Sequence, residues 1–92
     1  MNNPTLFMLM LGCKPIGRYT EQHDTFFTIA NSIIDTENDA KLFWPDAGKI
    51  HVDAWRQVTI VGNYEIKVAP RSQVRVNTKR LFFLNLGGYK KR

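Results

Sequence analysis

One cysteine, Cys13, is the only thiol in this chain of 92 residues. No internal disulfide is available, and a reducing compartment such as the cytoplasm is the expected location. Acidic side chains stop early, since none follows Glu65. The apolar run over residues 5–13 is far shorter than the ~20 residues of a membrane-spanning helix, and no basic residue precedes it as in a signal peptide. No glycine-rich phosphate loop, dinucleotide fingerprint, zinc spacing or DNA-recognition helix pattern occurs. These absences exclude a disulfide scaffold, a membrane helix and the familiar nucleotide enzymes. Spacing alone calls for no metal and no cofactor.

What is present suffices for a core. Apolar residues make up 43% of the chain and aromatics 12%, which argues one folded domain over residues 1–92 rather than disorder. Charge is split along the chain. Residues 1–66 hold five basic and eight acidic side chains, whereas 67–92 hold eight basic ones and no acidic one. The basic set is Lys67, Arg71, Arg75, Lys79, Arg80, Lys90, Lys91 and Arg92. It suits either a solvated loop and tail or non-specific contact with nucleic acid.

The chain also begins to repeat. Leu6-Phe7-Met8-Leu9-Met10-Leu11-Gly12 returns as Leu81-Phe82-Phe83-Leu84-Asn85-Leu86-Gly87, an internal repeat of L-F-x-L-x-L-G. Both segments are apolar at odd and even positions, the signature of central strands covered on both faces. Between them Phe26, Phe27, Ile29, Ala30, Ile33 and Ile34 fall at helical spacing. Thr20 is placed to cap that helix, with Glu21 and Asp24 in its first turn. A short second helix is expected from Glu37 to Phe43 behind Thr36, stopped at Trp44 by Pro45.

From Lys49 the period becomes two. Ile50, Val52, Ala54, Val58 and Ile60 share one face, and His51, Asp53, Trp55, Gln57 and Thr59 the other. A three-residue loop, Val61-Gly62-Asn63, would pair Ile60 with Tyr64 and keep apolar groups together. Residues 70–79 read as a basic loop. The expected architecture is therefore α+β: a single mixed four-stranded sheet with one long and one short helix on one face, in the order β-α-α-β-β-β. Helices on one face leave the doubly apolar strands half covered, and a homodimer is the simplest remedy.

Few residues can carry chemistry. His23, Asp24, His51 and Asp53 offer imidazole and carboxylate for an acid–base or metal-dependent site. Their plainer roles are a half-buried histidine, a helix-cap carboxylate and a wet strand face. Gly12, Arg18 and Glu21 would border an anion pocket at the start of the long helix, where free N–H groups point outward. Cys13 beside Lys14 and Arg18 has the charge environment of a lowered thiol pKa, without any Cys-His-Asn pattern. Trp44 and Trp55 are expected in the core or a subunit contact.

Leu6-Phe7 through Leu11-Gly12, Glu21-Gln22-His23-Asp24 before Phe26-Phe27, Phe43-Trp44-Pro45, His51-Val52-Asp53 and Leu81 through Tyr89 together resemble a bacterial family catalogued only as a domain of unknown function. The resemblance implies tandem units. This chain is similar to one unit over 5–69, the basic loop 70–79 and the first strand, 80–89, of a truncated second. It implies no activity, only His23, Asp24, His51 and Asp53 as the residues to follow. The function expected is a small cytoplasmic binding or interaction module without its own catalysis, off the membrane and with an unknown small ligand. An enzyme site at the His/Asp group and nucleic-acid binding are the alternatives.

Overall fold

The computed structural model describes residues 3–73 and 79–87. Its main sheet has three antiparallel strands in the order β2-β1-β3. They are β1 (Thr5–Cys13), β2 (Gln22–Ala30) and β3 (His51–Gln57). A helix, α1 (Glu37–Phe43), follows a single 3-10 turn at Ile34–Thr36. A separate two-stranded hairpin pairs β4 (Ile60–Val61) with β5 (Tyr64–Glu65).

This corrects the expectation of one four-stranded sheet with a long and a short helix. The long helix does not form. Residues 22–30 run as a strand paired with β1 at every position from Thr5↔Ala30 to Cys13↔Gln22. The physical reason lies in side-chain type. Thr25, Phe26, Phe27, Thr28 and Ile29 are β-branched or aromatic, and they lose least when packed on a pleated surface. With a strand there, no helix start exists at Thr20 and no first-turn N–H groups face Gly12, Arg18 or Glu21.

The short helix forms over the expected residues. Its entry differs, because Thr36 makes no side-chain cap. Thr36 is buried and its hydroxyl donates to the Ile33 carbonyl at 2.6 Å. The helix ends at Trp44, whose backbone has left helical geometry ahead of Pro45. The Thr28 hydroxyl donates to the Asp39 carboxylate at 2.9 Å, tying α1 to β2. Phe26 and Phe43 stack beside that contact with centroids 4.7 Å apart.

One face of the sheet makes the core. Phe7, Leu9 and Leu11 of β1 are fully buried and pack with Ala30 and Ala40, ringed by Phe26, Ile33, Trp44 and Ile50. The opposite face carries Met8 and Met10, only partly covered. Phe83 reaches it and meets Phe27 edge-on at 5.3 Å. Residues 80–87, expected as a fourth strand, form none among the described residues. Leu81, Phe82, Leu84 and Leu86 stay exposed.

The 60–65 hairpin turns on two residues, Gly62-Asn63, with Ile60 opposite Glu65 and Val61 opposite Tyr64. The expected three-residue loop is overturned. Both strands of the hairpin are exposed, so no buried face sets the register, and the turn sets it instead. Gly62 has φ 58°, which a tight two-residue turn requires. Residues 74–78 of the basic loop, and the tail from 88 on, lie outside the described residues.

Candidate functional site

Two strands that flank a third lie about 10 Å apart, so their side chains meet only by reaching over the strand between them. At the Cys13 end of the sheet Gly12 lies beneath such a reach. It is the register partner of His23 on β2 and of His51 on β3. A Cβ built on Gly12 would stand 2.6 Å from Asp53 Oδ2 and 3.2 Å from His23 Cδ2. Only a residue without a side chain leaves that space open.

Asp53 arrives there through a bulge. The β1–β3 register runs Met10↔Ala54 and then Leu11↔Val52, so Asp53 is the extra residue. A bulge breaks alternation and re-aims a side chain. His23 Nε2 and Asp53 Oδ2 stand 3.0 Å apart, with the two side chains 49% and 43% exposed. Glu21 lies just before β2, two residues ahead of His23. The ligating atoms of Glu21, His23 and Asp53 all lie within 4.8 Å of one another.

The other candidates stand apart. Asp24 is opposite Leu11 in the register, and its carboxylate accepts the Thr25 backbone N–H at 2.8 Å. His51 is exposed, and its side chain forms no hydrogen bond or ion pair among the described residues. Arg18 is exposed, in a turn closed by its own N–H to the Pro15 carbonyl at 3.0 Å. Of the basic final third, Lys67 lies 3.9 Å from Glu65. Arg75, Lys90, Lys91 and Arg92 lie outside the described residues.

Cys13 is not an activated thiol. It is fully buried, and burial first, then the negative charge of Glu21, raises its pKa above the ordinary 9.0. Lys14 and Arg18 do not offset this. The native state therefore keeps a proton that the unfolded chain releases above pH 9.0, and stability must fall as pH rises past that value. Urea unfolding at about pH 8 and about pH 10 should show the drop in wild type and a flatter profile in Cys13→Ala. Equal slopes in the two proteins would mean the thiol titrates freely.

Beside the Glu21–His23–Asp53 group opens a cavity of about 460 Å³, with His23, Asp24 and Arg56 as charged or titratable walls and Met8, Met10 and Phe83 as apolar ones, while Glu21 and Asp53 stand outside its lining. The sequence offers both carboxylates and the histidine, yet the expected long helix puts Glu21 in its first turn and Gly12 beside an anion pocket. Glu-x-His and His-x-Asp on two strands were the available signal, and it required reading 22–30 as a strand. No helix among the described residues is long and apolar enough to cross a membrane.

No curated protein and no solved structure matches the chain. A family model described as Domain of Unknown Function (DUF1543) matches residues 18–68. That stretch carries β2, α1 and β3, and with them Glu21, His23 and Asp53, while Gly12 precedes it. The match spans more than half of the 92 residues, and the chain belongs to this family of unknown function.

Proposed function

We propose that this domain is a binding module that takes a small ligand on the sheet face opposite α1, with Glu21, His23 and Asp53 as its polar contacts. The observation that carries this reading is the meeting of His23 and Asp53 over Gly12 at the edge of the cavity. An exposed ion pair contributes only about 0–1 kcal/mol to stability. Stability is thus a poor reason for a bulge and a side-chain-free position in a central strand. The cavity has the size range of small-molecule sites, and an apolar wall with a few convergent polar groups is their usual make-up. Met8, Met10 and Phe83 supply adaptable, polarisable walls for a flat apolar body.

The carboxylates of Glu21, Asp24 and Asp53 around His23 outnumber Arg56, the cation in the cavity lining, so the polar end is acidic and favours a cationic head group. The reading is one of binding, and the buried thiol of Cys13 takes no part in it. A titration of ¹⁵N-labelled protein with benzylamine, benzoate and phenol tests it. Benzylamine should give saturable shifts at Gly12, His23, Thr25 and Ala54, weakened in Asp53→Asn. Shifts confined to α1, or equal for benzoate and benzylamine in both proteins, would remove the reading.

A further inference from the structure

We infer that Glu21, His23 and Asp53 form a site for a divalent first-row transition-metal ion. This rests on the proposed binding site and names the cation its acidic end takes, a metal ion that competes with an organic ammonium head for the same donors. The donors are one imidazole nitrogen and two carboxylate oxygens, drawn from β2, the residue just before it and the β3 bulge. Magnesium and calcium favour all-oxygen shells, whereas a nitrogen among carboxylates suits zinc, cobalt, manganese or iron.

The distances fit. Metal–nitrogen and metal–oxygen bonds of about 2.0–2.2 Å place neighbouring donors about 3–3.5 Å apart. His23 Nε2 and Asp53 Oδ2 are already 3.0 Å apart. Glu21 lies within the 4.8 Å group and is exposed, so rotation of its side chain completes the set without moving backbone. The space over Gly12, which a Cβ would fill, is where the two strands' donors converge.

Charge separates this from a plain ion pair. A protonated imidazole can neutralise one carboxylate, and here two converge on it. A divalent ion neutralises both. Three protein donors also leave coordination positions open beside the cavity, as in metal sites that accept a further ligand.

The protein, freed of any affinity tag and dialysed against chelator, should take up one Zn²⁺ per chain by calorimetry and one Co²⁺ by absorbance. His23→Ala, Glu21→Gln and Asp53→Asn should each weaken uptake at least tenfold, while His51→Ala and Asp24→Asn leave it unchanged. Mn²⁺ added to the ¹⁵N-labelled wild type should broaden Gly12, Glu21, His23 and Asp53 first, a readout independent of how the variants fold. Absence of saturable uptake, equal loss in His51→Ala, or broadening centred elsewhere overturns the metal site. If uptake fails while the benzylamine shifts persist, the metal assignment falls and the binding site stands. Stoichiometric uptake without those shifts does the reverse.

Discussion

Phe7→Ala should destabilise the domain by about 3–5 kcal/mol, the usual cost of truncating a buried phenylalanine. Phe7 is fully buried in the central strand, and its ring lies 5.8 Å from that of Trp55 on the neighbouring strand. The void cannot close cheaply, because β1 is held on both sides by ladders to β2 and β3. Domains of this size are stable by only about 5–15 kcal/mol in total, so the variant should be near the edge of folding at physiological temperature. Urea unfolding measures it directly. Met10→Ala, on the same strand but the less covered face, should cost well under half as much. Equal losses at the two positions would mean that β1 has no buried face.

Gly12→Ala should separate His23 from Asp53 with almost no change in stability. The added methyl would meet Asp53 Oδ2 at 2.6 Å, and that atom ends a half-exposed side chain that can swing away. Two small terms then oppose each other. Alanine is favoured over glycine in a strand by about 0.5–1 kcal/mol through backbone entropy. Loss of the exposed His–Asp pair costs about 0–1 kcal/mol. The terms nearly cancel, so the unfolding midpoint should hardly move while zinc uptake weakens tenfold or more. A variant that keeps full uptake would show that the space over Gly12 is not the meeting point.

The parts of the fold written in local chemistry were legible. Pro45 stops α1 where the sequence says, and the continuous apolar run of β1 and the alternation of β3 mark both as strands. The error at residues 22–30 has a specific origin. Phe26, Phe27, Ile29 and Ala30 satisfy a helical period as well as they satisfy two partly covered faces of a strand, so periodicity does not discriminate. Composition does, since threonine and phenylalanine dominate the segment. In the site, His23 and Asp53 were legible as chemistry but not as neighbours. Their meeting depends on strand order β2-β1-β3, on a bulge at Asp53 and on the missing side chain of Gly12. The bulge arises in the pairing of β1 with β3, whose register partners Gly12 and His51 are 39 residues apart in the chain, which no single window displays.

Gly12 also bears on how the sheet finds its alignment. Sliding β1 by one residue would turn Phe7, Leu9 and Leu11 away from α1, and the core forbids it. Sliding by two is subtler, because apolar residues recur at every second position and the buried face survives. Such a shift would carry Met10 or Lys14 into the place between His23 and Asp53, where a side chain holds the two apart. The glycine thus marks the correct alignment against the one misalignment that hydrophobic patterning tolerates, because only in that alignment do His23 and Asp53 meet.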